Sequence, residues 1–418
     1  MPTPAEPMQW VSAISTQVSL EAAVEEVVAR TQRQLTAAPD LGLVFISSAF
    51  ASEFSRVLPL LQTALEIPTL IGCSGGGVVG MDSEEDALEV EDAPALSLCL
   101  ATLPGVTVQS FYLKETDLPD LDSPPDAWVE AVGVDPRVDP QFIVLADPFF
   151  SGVNDLLQGL DFAYPKAVKV GGLASGSSWQ RHGGLFCDRT YYTEGVVGLA
   201  LSGHVVLEAI VAQGCRPIGQ HYRVAAAERN ILLELEPPDI LDRDPQPALA
   251  SLKAMLNDLS DRDRQLAQHS LFIGIAQDGF KITLGPGDFL IRNLLGVDPR
   301  VGAIAIGDRV RPGQRIQFHL RDAETSAEDL EVLLQQYAHQ STASAPVGAL
   351  MFSCVGRGHG LYQEANFDSR LFHHHLGPVP LSGFFCNGEI GPIGGTTFLH
   401  GYTSVFGLCR QPSSQDDF

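Results

Sequence analysis

The sequence predicts a mixed α/β (α+β) fold, in which duplicated strand–helix–strand units form mixed sheets with flanking helices in two modules. Three observations carry this. An apolar strand, a helix and a strand rich in Gly, Ser or Cys recur in that order three times. β-rich stretches lie between the copies. An acidic segment with four prolines, EPPDILDRDPQP at 236–247, interrupts the apolar periodicity and sets a boundary near 237. A length of 418 residues fits two or three domains at roughly 150 residues each. The expected division is therefore 1–236, 237–408 and a disordered tail, 409–418.

The first copy opens with a helix over 19–37. Ser19 is its N-cap, Glu21, Glu25 and Glu26 favour its positive end, and Arg30 and Arg33 favour its negative end. Leu20, Val24, Val27, Val28 and Leu35 give it an apolar stripe. LGLVFISSAF (41–50) reads as a buried strand, 52–66 as a helix with Pro59 inside it, and PTLIGCSGGGVVG (68–80) as a strand running into glycines. The second copy is QFIVLADPFF (141–150), a weaker helix over 151–163, and KAVKVGGLASGSS (166–178). The third is VGALMFSCVGRG (347–358), a short helix within 361–375, and PVPLSGFFCNGEIG (378–391). Between copies, 95–113 and 196–214 read as hairpins turning at Leu103-Pro104-Gly105 and Ser202-Gly203. A helix is expected over 247–260, and the acidic stretches 82–92 and 115–126 read as exposed loops.

Composition excludes several functions. Twenty-six Lys and Arg against 51 Asp and Glu leave a net charge of −25, so neither a nucleic acid nor a membrane surface is an expected partner. No apolar run reaches the ~18 residues of a membrane span. The first nine residues lack the basic and apolar segments of a signal peptide. Seven cysteines, an odd number with no C-x-x-C, disfavour a disulfide framework and point to a reduced, cytoplasmic protein.

Three groups of residues could carry chemistry. Gly72-Cys73-Ser74-Gly75-Gly76 matches the G-x-S-x-G nucleophile elbow in form, but the glycine-rich sequence after it is a poor helix former, which favours a glycine-lined strand end. The equivalent strand ends bring Cys73-Ser74, Ala174-Ser175 and Cys386-Asn387-Gly388-Glu389 to similar positions, with Cys354, Arg357 and Asp147 ending partner strands. Carboxyl ends of strands in open α/β sheets are favoured ligand sites. Arg357 could anchor a carboxylate or phosphate and Glu389 an ammonium; alternatively the two pair with each other. The histidines His359, His373, His374, His375 and His400 lack zinc-motif spacing, and the triple His reads as a surface or loop segment. The candidate ligand-binding set is thus Cys73, Ser74, Gly75, Gly76, Asp147, Ser175, Cys354, Arg357, Asn387 and Glu389.

FSCVGRG and GPVPLSGFFCNGEIGPIGGTTFLHGYTSVFGL, within 347–408, together with IGCSGGGVVG and KVGGLASG, resemble the FIST family over roughly 39–408. The resemblance implies an N-terminal and a C-terminal FIST module. It implies a sensory protein that binds a small molecule, with amino acids among the candidates, and works with a histidine kinase or another signalling protein. The chain leaves no room for an F-box, kinase or receiver module, so output through a separate partner is expected. One bacterial branch of the family is a haem-bound nitric oxide sensor, but no haem ligand can be matched here. The cofactor stays unknown. The expectation is a non-catalytic ligand-binding sensor. Its alternatives are a haem sensor using His359 or His400 and a hydrolase using Ser74 or Cys73.

Overall fold

A computed structural model describes residues 7–176, 183–237, 244–279, 281, 283–285, 287–340 and 344–412. The chain divides into two compact units, Met1–Val211 with Glu331–Phe418, and Ala212–Leu330. The boundary expected near 237 falls inside the second unit. Residues 238–243 of the proline-rich stretch, residues 177–178 of the second glycine-bearing segment and residues 413–418 of the tail lie outside the described residues.

Three repeats build the first unit. The first holds β1 (Gln9–Ser15), α1 (Leu20–Gln34), β2 (Leu41–Ser47), α2 (Phe54–Ala64), β3 (Thr69–Gly75), β4 (Gly77–Met81), β5 (Ala87–Glu91) and β6 (Leu96–Thr102). The second holds β7 (Val106–Leu113), α3 (Pro125–Val132), β8 (Gln141–Ala146), α4 (Val153–Ala163), β9 (Lys169–Leu173), β10 (Leu185–Cys187), β11 (Thr190–Tyr192) and β12 (Val196–Gly203). The third starts with β13 (Val206–Ala212), which leads into the second unit. That unit comprises β14 (Arg216–Glu228), β15 (Ile231–Glu236), β16 (Gln246–Pro247), α5 (Ala248–Asp258), α6 (Asp261–Leu266), β17 (Leu271–Ala276), β18 (Phe289–Asp298), β19 (Ala303–Ile306) and β20 (Arg315–Leu320). The chain returns through α7 (Ala323–Gln340). The third repeat then completes itself with β21 (Gly348–Cys354), α8 (Gly358–Tyr362), α9 (Phe367–Leu376), β22 (Leu381–Cys386), β23 (Glu389–Ile393), β24 (Thr396–His400) and β25 (Ser404–Arg410).

Each repeat owns one six-stranded sheet, and the strand orders correspond: β1-β6-β2-β3-β10-β11, β7-β12-β8-β9-β23-β24 and β13-β25-β21-β22-β4-β5. The central pairs β2–β3, β8–β9 and β21–β22 are parallel. A parallel pair needs a crossover, and α2, α4 and the α8–α9 segment supply it. The last two strands of every sheet are borrowed. Hairpin β10–β11 of the second repeat pairs with β3 of the first, β23–β24 of the third with β9 of the second, and β4–β5 of the first with β22 of the third. The exchange is cyclic, so no repeat completes its sheet alone.

This exchange corrects two expectations. The segments 95–113 and 196–214 are not hairpins. β6 and β7 belong to different sheets, as do β12 and β13. Gly105 and Gly203, both at positive φ, let the chain pass from one repeat's sheet to the next.

One glycine per repeat fixes the close approach of the parallel strands. Gly72 lies opposite Val44, Gly171 opposite Val144 and Gly383 opposite Met351. A Cβ on any of the three would sit within 3.0 Å of the opposite residue's carbonyl oxygen. One residue beyond Val44 and its counterparts stand Phe45, Leu145 and Phe352, all fully buried in one core shared by the three repeats. Phe384 joins them, its ring centroid 5.3 Å from that of Phe45 and 5.8 Å from that of Phe352. Truncating a phenyl ring in such a core costs about 3–5 kcal/mol.

The helices cover the outer faces. α1 starts as expected, with Ser19 Oγ accepting the Ala22 N–H at 3.3 Å, and buries Leu20, Val24, Val27 and Val28 against the first sheet. Trp128 of α3 and Leu156 and Leu160 of α4 pack on the second sheet. On the third, Phe372 of α9 stacks on Phe406 of β25 at 5.1 Å. The second unit is a seven-stranded sheet, ordered β14-β20-β17-β18-β19-β15-β16, with its own core around Ile273, Ile304, Ile316 and Phe318. Among the described residues no helix is long and apolar enough to cross a membrane.

Candidate functional site

A cleft of about 880 Å³ opens where the carboxyl ends of the central strands meet. All its described lining residues belong to the first unit. The first repeat contributes Ser47 at the end of β2, Ser48 and Ala49 after it, Gly76 after β3 and Gly77 at the start of β4. The second contributes Gly176, and the third Val355, Phe385 and Asn387. The borrowed strand β5 and the turn after it supply Glu89, Glu91 and Asp92. His359 and Gly360 of α8 face them. This is the end of the sheets where α/β proteins bind ligands.

Of the ten candidate site residues, Gly76 and Asn387 line this cleft. Ser74 and Ser175 lie behind it and knit the repeats together. Ser74 Oγ donates to Ser175 O at 3.1 Å and accepts the Gly184 N–H at 3.0 Å. Ser175 Oγ accepts the Gly76 N–H at 2.7 Å and donates to Phe385 O. All three repeats meet through that one hydroxyl. Gly75 is required by packing, since a Cβ there would reach Gly77 O at 2.5 Å and Phe384 Cβ at 2.9 Å. Asp147 turns inward, accepting the Phe149 N–H at 2.9 Å and the Gly183 N–H at 3.2 Å.

The strand ends correspond differently from the sequence reading. Counting from Gly72, Gly171 and Gly383, the equivalent residues are Gly76, Ser175 and Asn387; on the partner strands, counting from Val44, Val144 and Met351, they are Ser47, Asp147 and Cys354, with Ser47 opposite Gly75 and Cys354 opposite Cys386. Cys73 is equivalent to Phe384 instead and fills the shared core. Burial pushes its thiol well above the ordinary range. Cys386 is raised likewise by burial.

Arg357 does not face the cleft. It is fully buried, and its Nε and Nη2 donate to Asp368 Oδ2 and Oδ1 at 2.8 and 3.0 Å. Nη2 also bonds the Tyr362 hydroxyl, and Nη1 reaches Tyr402 O at 3.5 Å. The expected pairing with Glu389 gives way to a two-pronged bond with Asp368, a planar match that only a guanidinium makes. Glu389 is fully buried and accepts the Thr403 N–H at 3.1 Å. Burial pushes it up to about 8, against the opposing pull of Cys354 and Arg357.

The sequence reading missed the acidic wall. The stretch 82–92, expected as an exposed loop, contains β5, and Glu89 is 6% exposed. Glu89 Oε1 accepts the Ser369 N–H of α9 at 2.7 Å, and burial beside Asp368 pushes the carboxyl up to about 8. Glu91 accepts the His359 N–H at 2.8 Å and is raised, chiefly by burial. The signal was the alternation of Leu88 and Val90 with Glu89 and Glu91, the period of a strand. The triple His ends α9 rather than forming a loop, a placement the helix dipole favours. His400 is buried, its Nε2 2.9 Å from Gly391 O. No group of three or more His, Cys, Asp or Glu among the described residues could hold a metal ion.

Comparison with known proteins gives the family. The FIST N domain matches residues 40–237 and the FIST C domain residues 248–392. "Uncharacterized protein Rv0628c" of Mycobacterium tuberculosis is 33% identical over 397 residues, 94% of this chain and 98% of that protein. "Uncharacterized protein Mb0898c" of Mycobacterium bovis is 33% identical over 398 residues, 95% of this chain and 97% of its own length. An F-box/LRR-repeat protein of Arabidopsis thaliana shares 28% identity over 115 residues, 24% of this chain and 22% of that protein. Among solved structures, a cyanuric acid hydrolase from A. caulinodans aligns over 97% of this chain and 100% of its own, at a TM-score of 0.34 and 8% identity, too distant to carry an argument. With both modules matched in order and full-length relatives at 33% identity, the chain belongs to the FIST family.

Proposed function

We propose that this protein is a non-catalytic sensor that binds a small molecule in the cleft of its first unit and passes its state to a separate signalling partner. FIST domains form a sensory, signal-transduction family. The observation that carries the reading is the construction of the cleft, to which all three repeats and one borrowed hairpin contribute. A ligand there touches β5 of the first repeat together with β22 and α8 of the third. It can therefore shift the population of any state in which that hairpin sits differently, by its differential affinity for the two states. A histidine kinase or other signalling protein would read the change.

The candidate nucleophiles support a non-catalytic reading. Ser74 is 1% exposed, its hydroxyl is engaged on both sides by backbone groups, and β4 follows it where an elbow would start a helix. Cys73 is enclosed, with its thiol held protonated by burial. Two measurements test the proposal. The small-molecule fraction of a cell extract should raise the melting temperature of the wild type but not of Gly360→Trp, a cleft-wall variant whose new Cβ meets no atom within 4 Å. Equal shifts in both would contradict it. Serine- and cysteine-directed activity probes should leave Ser74 and Cys73 unlabelled. Labelling abolished by Ser74→Ala or Cys73→Ala would restore the hydrolase alternative.

A further inference from the structure

The described walls of the cleft carry mainly one sign of charge. We propose that the cleft takes an organic cation, a small molecule with a protonated amine or guanidinium, held by Glu91 and Asp92 with Glu89 behind them; this rests on the cleft being the ligand site. Glu89, Glu91 and Asp92 stand on one four-residue segment of its wall. Glu89 adds an independent sign. It is 94% buried by its 6% exposure, and while Oε1 accepts the Ser369 N–H, Oε2 has no hydrogen-bond partner. A buried polar atom left unmet in a cleft wall calls for a donor, and an ammonium or guanidinium brings several. Among the described lining residues there is no Lys or Arg, and His359 is the one basic side chain. Arg357, which could have received an anion, is taken up by Asp368 and Tyr362. An anionic ligand would meet like charge from Glu91 and Asp92, whereas a cation is drawn in by those two and by a net charge of −25, and its approach favours the ionised form of Glu89, which burial otherwise holds protonated up to about 8. Phe385 offers apolar wall to the ligand's carbon skeleton. Metal coordination does not fit, since no described cluster supplies three ligands.

The test uses the full chain, with putrescine and agmatine as cationic probes against 1,4-butanediol, succinate and magnesium chloride. Putrescine or agmatine should raise the melting temperature with saturation, and the other three should not. The double variant Glu91→Gln, Asp92→Asn should weaken amine binding at least tenfold by equilibrium dialysis. The amide oxygen that Glu91→Gln introduces can still accept the His359 N–H. Asp92 sits at φ 54°, a conformation Asn adopts readily, so Asp92→Asn alone serves if the double variant melts early. The proposal falls if neither amine shifts the melt, if the double variant binds amines as tightly as the wild type, or if magnesium chloride reproduces the shift. A succinate shift lost in Gly360→Trp would overturn the cation while keeping the cleft as the ligand site. A shift by any probe that Gly360→Trp leaves unchanged would remove the cleft itself.

Discussion

Arg357 and Asp368, eleven residues apart, meet through two N–H···O bonds of 2.8 and 3.0 Å with both side chains at 0% exposure. The pair ties the loop after β21 to the first turn of α9. α9 in turn holds β5, because Ser369 donates its N–H to Glu89 and Asn366 Oδ1 accepts the Glu89 N–H at 2.7 Å. The cleft's acidic wall therefore hangs on a buried ion pair in another repeat.

Removing one partner of such a pair strands the other as a buried charge, at about 3–5 kcal/mol. Arg357→Ala should show a loss of that order in denaturant melts. Arg357→Met combined with Asp368→Leu should recover part of it. A melt of Arg357→Ala within about 1 kcal/mol of wild type, the scale of an ordinary surface change, would show that the pair does not hold the fold.

The three strand glycines give a second expectation. Gly72→Ala, Gly171→Ala and Gly383→Ala each force a Cβ onto a backbone carbonyl that cannot move alone. Each should cost well over the ~1 kcal/mol of an ordinary backbone substitution. Gly296→Ala, with nothing within 4 Å of the added Cβ, is the control. Similar melts for all four would contradict the three-repeat geometry.

The buried glutamates predict a pH trend. Glu89 and Glu389 have folded-state values near 8 against an ordinary 4.5, so the folded chain binds more protons than the unfolded one in between. Their contribution is full below about pH 4.5, falls as the pH rises through that window, and levels off above about 8. Glu89→Gln should flatten this slope, gaining relative to wild type at about pH 8 compared with about pH 6. A variant whose advantage grew on acidification would reverse the sign.

Thiol chemistry makes a further check. None of the seven cysteines is in a disulfide, and Cys215 alone among them is not buried. A thiol reagent should label Cys215 first under native conditions and all seven after denaturation. Fewer than seven in the unfolded chain would mean a disulfide.

The repeat order was readable because each copy carries its own local signals: an apolar run at strand length, a helical stripe, then glycines. β1 was passed over, since QWVSAIS is short and follows a Pro-rich start. The hairpin exchange was hidden for a different reason. Which edge receives β4–β5 is decided by packing against β22, roughly three hundred residues away, and a turn such as Leu103-Pro104-Gly105 looks alike whether its strands pair or part. The site was half legible. Gly76 and Asn387 stand at strand ends marked by small residues. Glu89 is buried with its carboxyl accepting the N–H of Ser369, 280 residues further on, and no local pattern announces that. Arg357 reads in the sequence as a ligand anchor or a partner of Glu389, but its partner Asp368 sits on α9 and not on the glycine-bearing strand.

Native mass spectrometry of freshly purified protein shows directly whether the cleft holds a small molecule. The wild type should carry a small-molecule adduct, acquired in the host or on incubation with a lysate's small-molecule fraction, and Gly360→Trp prepared identically should carry none. An adduct undiminished in Gly360→Trp, or a wild type bare under both conditions, would contradict the cleft as the ligand site.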